Sequence, residues 1–129
     1  MRAIVIEDSR AARAILGQML REGGFEVVEA ADGRAALERL RAEAAAAGAG
    51  GGVSLALVDW NMPGMSGIDF VRAVRSDPAL AGLRLLMVTA QTERESVAEA
   101  LDAGADEYLM KPFRRDMLES KLALMGVLA

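Results

Sequence analysis

Leu55-Ala56-Leu57-Val58-Asp59-Trp60-Asn61-Met62-Pro63-Gly64-Met65-Ser66-Gly67 is the stretch on which the fold turns. A short apolar run drives into a carboxylate, and a Pro-Gly pair follows. Such a run, bounded by turn residues, reads as a buried central strand. Asp59 then stands where that strand leaves the sheet. Taken alone, it is a turn cap or a solvated acid. What the rest of the chain brings to meet it decides whether it does more.

Working outward, the same signature recurs. Ala3 to Ile6 is an apolar run ending in Glu7-Asp8, a first strand with two carboxylates at its tip. Ala12, Ile15, Leu16, Met19 and Leu20 then follow a helical spacing, stopped by Gly23-Gly24. Phe25 to Glu29 is a second strand. Asp32-Gly33 opens a second helix with Ala36, Leu37 and Leu40 inward, continuing to about Ala46. The Ala/Gly-rich segment 42–52 reads as a connector. A phosphate cradle needs glycines between a strand and a helix start, and these lie the other way round.

Val53 to Val58 is the third strand. Ser66 with Asp69 forms a capping pair for a third helix, whose Ile68, Val71 and Val74 face inward until Ser76-Asp77-Pro78 ends it. Leu83 to Val88 is a fourth strand ending at Thr89-Ala90. Thr92 with Glu95 caps a fourth helix, which has only a thin apolar stripe of Val97, Ala100 and Leu101. Glu107 to Met110 is a short fifth strand ending at Lys111-Pro112. Leu118, Leu122 and Met125 mark a last amphipathic helix. Strict β-α alternation with near-continuous apolar strands argues a parallel sheet covered on both faces. The expectation is therefore one doubly wound α/β domain over residues 1–129, with strand order 2-1-3-4-5 favoured for five strands.

Composition narrows the chemistry. The 129 residues are 53% hydrophobic and 26% charged, with a formal net charge of -4. An acidic balance argues against nucleic acid or an anionic membrane as partner. No stretch is apolar for long enough to span a bilayer, and Glu7-Asp8 arrives too early for a secretory leader, so a cytoplasmic protein is expected. There is no Cys and no His. Disulfides, thiolate metal sites and an imidazole base are all excluded.

In a sheet of this order, ligands bind at the carboxyl ends of the strands where the order reverses. Glu7 and Asp8, Asp59, Thr89 and Lys111 are the groups delivered there. Each taken alone is ordinary: a helix-capping acid pair, a strand-end threonine, a surface lysine. Together they make a constellation. Three close carboxylates repel, and without a cation at least one pKa rises. A hard divalent ion bound through oxygen, Mg²⁺ or Mn²⁺ in its place, resolves the repulsion. Lys111 and Thr89 then suit the oxygens of a phosphoryl group, with an Asp as acceptor.

These residues, with Asp59-Trp60-Asn61-Met62-Pro63-Gly64-Met65-Ser66-Gly67, Gly104-Ala105-Asp106 and Tyr108-Leu109-Met110-Lys111-Pro112-Phe113, resemble the CheY-like receiver domain of two-component response regulators over essentially the whole chain. The resemblance implies that Asp59 is phosphorylated by a histidine kinase or a histidine phosphotransfer protein. It implies Mg²⁺ held by Asp8, Asp59 and the Asn61 carbonyl, with Glu7 acting through a metal-bound water. It further implies that Thr89 and Lys111 hold phosphoryl oxygens, that Lys111-Pro112 is cis, and that Thr89 and Tyr108 form a switch pair. Output would pass to a protein target through the face built by the fourth helix, fifth strand and fifth helix. Chemotaxis or motility control is the pathway it suggests, with a phosphorelay shuttle or phosphate sink as the alternative.

There are departures from the family's pattern. Glu7 stands where many receivers have Asp, and Ser66 replaces a frequent acid. Asn61 and Gln91 occupy positions that tune phosphoryl lifetime, and Met117 stands where dimerising receivers often carry an acid, so a monomer is expected. An aspartyl-nucleophile phosphatase would place a second Asp two residues after the first; here that position is Asn61. The expectation is a signalling switch without an output domain rather than a turnover enzyme. A fold-only scaffold is disfavoured by the intact Asp8, Asp59, Thr89 and Lys111. Flavodoxin-like cofactor binding is disfavoured by the lack of a Ser/Thr/Gly phosphate loop after the first strand.

Overall fold

The structure is a computed structural model describing residues 1–47, 52–60, 62, 64–90 and 94–127. Five strands alternate with five helices. They are β1 (Arg2–Ile6), α1 (Arg10–Glu22), β2 (Glu26–Ala30), α2 (Gly33–Ala47), β3 (Leu55–Asp59), α3 (Gly67–Arg75), β4 (Arg84–Ala90), α4 (Arg94–Ala103), β5 (Glu107–Lys111) and α5 (Arg115–Leu124). A 3-10 turn, Pro78–Leu80, follows α3. The strands form one parallel sheet in the order β2-β1-β3-β4-β5, as the alternation predicts. Among the described residues, no helix is long and apolar enough to cross a membrane.

Period-2 alternation splits the core into two layers. Ile4, Ile6, Ala56, Val58, Leu85 and Met87 face α2, α3 and α4, where Leu37, Leu40, Phe70, Val71 and Val74 meet them. Val5, Leu57, Leu86, Val88 and Leu109 face α1 and α5, against Leu16, Leu20, Leu118 and Leu122. Ile4, Val5, Ala56, Val58 and Leu86 are fully buried, as central strands of a doubly covered sheet must be. Each of the Ile, Val and Leu side chains among them stabilises the fold by about 1.5–3 kcal/mol relative to exposure.

The strand ends move by one or two residues from the sequence reading. β2 starts at Glu26 and β3 at Leu55, because pairing with β1 begins only at those residues. The inner face of α1 is also narrower than its apolar spacing suggests. Ile15 is 58% exposed, while Leu16, Gly17 and Leu20 are buried. A helix lying on a sheet buries one stripe, and Ile15 falls outside it. Two N-caps are hydroxyls: Ser9 Oγ accepts from Ala12 N at 3.3 Å, and Ser66 Oγ from Asp69 N at 3.2 Å. Asp32 Oδ1 accepts from Ala35 N at 2.8 Å and opens α2. The first cap falls to Ser9 rather than to the acid pair before it. The proposed Thr92–Glu95 cap lies outside the described residues, as do residues 48–51 of the Ala/Gly run.

Candidate functional site

The side-chain alternation that builds the core also aims the site. Val5, Leu57 and Leu109 face α1 and α5; two residues on, in the same sense, come Glu7, Asp59 and Lys111. Met87 and Tyr108 pack on the opposite layer, and Thr89 continues the line of Met87. One strand end after another thus presents a polar group just where pairing stops.

Glu7, Asp8 and Asp59 each place a carboxylate oxygen within 4.8 Å of the others. Glu7 is 3% exposed and Asp59 9%, whereas Asp8 is open to solvent. Lys111 Nζ donates to Asp59 Oδ1 at 3.2 Å and lies 4.0 Å from Glu7 Oε2. Lys111-Pro112 is cis, as the resemblance implied. Thr89 is 1% exposed on β4, and Tyr108 is half-buried on the neighbouring strand. Glu7, Asp8, Asp59, Thr89 and Lys111 therefore stand together at the carboxyl edge of the sheet. Asn61, whose carbonyl was expected to face the ion, and Gln91 lie outside the described residues.

The electrostatics of the cluster favour a cation beside it. Burial pushes the Glu7 carboxyl up to about 7; the neighbouring Asp59 carboxylate acts in the same direction, Lys111 opposes it, and Asp8 adds to the rise. Glu7 Oε2 is buried and has no hydrogen-bond partner. A buried carboxylate oxygen without a donor costs free energy unless a proton or a metal satisfies it. Three convergent carboxylates with one oxygen unsatisfied fit a hard oxygen-seeking ion such as Mg²⁺.

The turn after Asp59 is held by two glycines. Gly64 adopts φ +78°, which only glycine takes without strain. Gly67 begins α3 so close to the strand that an added Cβ would lie 3.0 Å from the Asp59 carbonyl oxygen and 3.1 Å from Trp60 Cα. The Gly67 amide donates to the Trp60 carbonyl at 3.1 Å. The Asp59-bearing end of β3 and the start of α3 are therefore in direct contact.

Two supporting residues were not found from the sequence. Arg13 Nη1 donates to the Glu7 carbonyl at 2.8 Å, and its Nε pairs with Glu29 at 3.2 Å, pinning the tip of β1 from α1 and β2. Arg75 donates to the carbonyls of Gly104 and Leu83 and to Asp106, each at 2.8 Å, and Asp106 also accepts from Leu85 N at 2.7 Å. Their partners are mainly carbonyls and distant acids, which leave no local pattern. Asp106 within Gly104-Ala105-Asp106 was the one available signal.

The family model for the response regulator receiver domain matches residues 3–123. The chain is 40% identical to the chemotaxis protein CheY of Pseudomonas aeruginosa over 123 residues, covering 95% of this chain and 93% of that one. It is 38% identical to the chemotaxis protein CheY-3 of Vibrio cholerae, covering 95% and 88%. Among solved structures, the Vibrio cholerae chemotaxis protein CheY4 superposes with a TM-score of 0.80 at 32% identity, covering 98% of both chains. A probable two-component response regulator/GGDEF domain protein gives 0.86 at 28% identity over 98% of this chain and 50% of that one.

Proposed function

We propose that this chain, which belongs to the response regulator receiver domain family, is a phosphorylation-activated switch of a two-component phosphorelay. Asp59 is the acceptor, a phosphohistidine on a histidine kinase or phosphotransfer protein is the donor, and a protein target reads the result. The observation that carries this reading is the pairing of a nearly buried Asp59 with Lys111 at 3.2 Å, beside the unpartnered Glu7 Oε2.

The chemistry follows from the groups present. An Asp59 oxygen attacks phosphorus; the P–O bond forms as the donor's P–N bond breaks, and the bonding pair returns to the imidazole. Lys111 is already in place to follow the charge from the carboxylate to a phosphoryl oxygen. The Thr89 hydroxyl, on the next strand, donates to another. Glu7, Asp8 and Asp59 would hold Mg²⁺, with the Asn61 carbonyl as the further ligand the family pattern implies. When bound, the ion neutralises charge gathering on the phosphoryl oxygens.

Motion of Thr89 toward the phosphoryl group leaves room for Tyr108, which lies on the same layer of the sheet. The two positions link the acceptor to the α4-β5-α5 face. Val97 and Ala100 give α4 little apolar anchorage, and Leu101 is 37% exposed, which suits an element that shifts. The curated relatives are chemotaxis proteins, so we assign control of chemotaxis or motility as the pathway. We assign no turnover activity: the phosphoryl group is a signal held on Asp59, and its loss resets the switch.

Incubation with Mg²⁺ and acetyl phosphate, followed by intact-mass measurement, tests the reading. A single phosphoryl adduct is expected, absent in Asp59→Ala and without Mg²⁺. An adduct that persists in Asp59→Ala would sink it. Steady turnover of a phosphomonoester would favour a phosphatase instead.

A further inference from the structure

The Tyr108 ring is met by a cation from α5. Lys121 Nζ sits 4.6 Å from the centre of its ring. The same ammonium lies 3.0 Å from Glu107 Oε1, and that carboxylate oxygen also accepts the Tyr108 backbone N–H at 3.1 Å. The three groups form a closed clasp: cation over ring, cation to acid, acid to the backbone of the ring's own residue. Both charged side chains are largely shielded, Lys121 25% and Glu107 23% exposed, so solvent screens the pair less than a surface contact.

The topology explains how α5 reaches this ring. Lys121 belongs to a helix whose Leu118 and Leu122 pack on the layer facing α1, whereas Tyr108 packs against the opposite layer. β5 is an edge strand, with β4 on one side only. The Lys121 stem can therefore pass around the free edge to the ring. Glu107 faces the α5 side by alternation and meets the ammonium there.

We infer that Lys121 and Glu107 are positioning residues that latch the Tyr108 ring in its present place and set the resting balance of the switch. This rests on the proposed role of Tyr108. For the ring to turn inward toward Thr89, the cation–ring contact must break. A contact of this kind at a partly exposed site biases a two-state equilibrium by about two- to fivefold. The latch favours the unphosphorylated arrangement, so weakening it makes activation easier.

The chain has one Tyr, so its ring resonances in NMR report Tyr108 alone. The full chain is titrated with beryllofluoride and Mg²⁺, as wild type and as Lys121→Met, Lys121→Arg and Glu107→Gln. In Lys121→Met, the ring resonance in the unmodified protein should move toward its beryllofluoride-bound position, and half-saturation should fall by about two- to fivefold. Glu107→Gln should move both in the same direction. Combining it with Lys121→Met should add little, since both act through one clasp. Lys121→Arg keeps a cation over the ring and should behave as wild type. A wild type that responds, with Lys121→Met and Glu107→Gln identical to it, overturns the latch and leaves the switch reading standing. A wild type whose Tyr108 does not respond overturns both.

Discussion

Lys111 Nζ stands 3.2 Å from Asp59 Oδ1 and places a positive charge directly against that carboxylate. Its two proposed duties pull in opposite directions. The ammonium repels a divalent ion sharing the carboxylates, yet it is needed to meet the phosphoryl oxygens. Lys111→Ala should therefore bind Mg²⁺ more tightly, by about fivefold for roughly 1 kcal/mol of relieved repulsion in a partly screened site. The same variant should accumulate at least about tenfold less Asp59 adduct from acetyl phosphate, as expected for loss of a charge-stabilising donor. Trp60, next to Asp59 and the single Trp, provides a fluorescence signal for the ion. Weaker Mg²⁺ binding in Lys111→Ala would count against shared carboxylates.

The raised Glu7 carboxyl makes stability depend on pH with a definite sign. Its ordinary value is 4.5, and in the folded protein it is pushed up to about 7. Between those values the folded state holds a proton that the unfolded chain has released. Unfolding free energy from this group is thus highest below about 4.5 and is lost as pH rises through about 7. Asp77 and Asp116 are held below the usual carboxylate range by Arg41 and Arg114, so they titrate outside this window. Thermal melts from pH 5 to pH 8 in chelator should show a falling Tm in wild type, with the slope reduced in Glu7→Gln. Saturating Mg²⁺ should flatten the fall, because the ion binds the ionised form. Equal slopes in wild type and Glu7→Gln would remove Glu7 as the source.

The sheet order was legible because short runs rich in apolar residues alternate strictly with segments of helical spacing. The site was legible for the same reason. Glu7, Asp59, Thr89 and Lys111 each follow their apolar run directly, and topology alone brings them together. What stayed hidden depends on long side chains and on main-chain partners. Arg13 reaches a carbonyl six residues back, and Arg75 reaches two carbonyls and an acid across the fold. Ile15 matched a helical spacing but lies outside the buried stripe, since a period of 3.6 names a face without its width.

Asp106 provides a control remote from Asp59. Its carboxylate holds the Leu85 amide at 2.7 Å and the Arg75 guanidinium at 2.8 Å, at the start of β4. Asp59 pairs with Val88 at the other end of that strand. Asp106→Ala leaves the buried Leu85 amide without its acceptor and removes one of the three acceptors of the partly buried Arg75 guanidinium, a loss of about 2–3 kcal/mol. Chemical denaturation should show that loss, while Mg²⁺ affinity of the folded protein should change less than about twofold, as expected for distant sites. A large change in affinity would mean that this clamp also shapes the carboxylate cluster.

Gly67 makes the opposite case, a position where a single methyl acts on the site itself. A Cβ there would lie 2.8 Å from Met87 Cε, 3.0 Å from the Asp59 carbonyl oxygen and 3.1 Å from Trp60 Cα. The methionine tip can swing away, but the two backbone atoms can move only if α3 lifts or the end of β3 shifts. Overpacking of this kind costs about 1–3 kcal/mol. The displaced atoms belong to Asp59 and its neighbour, so stability should not be the only loss. Gly67→Ala should lower both the denaturation midpoint and the rate of adduct formation with acetyl phosphate, and should alter Trp60 fluorescence before any Mg²⁺ is added. Gly64→Ala, at φ +78° with open space around it, should cost stability through backbone strain without crowding Asp59. If Gly67→Ala loses stability yet forms adduct at the wild-type rate under folding conditions, the start of α3 is not what holds Asp59 in position.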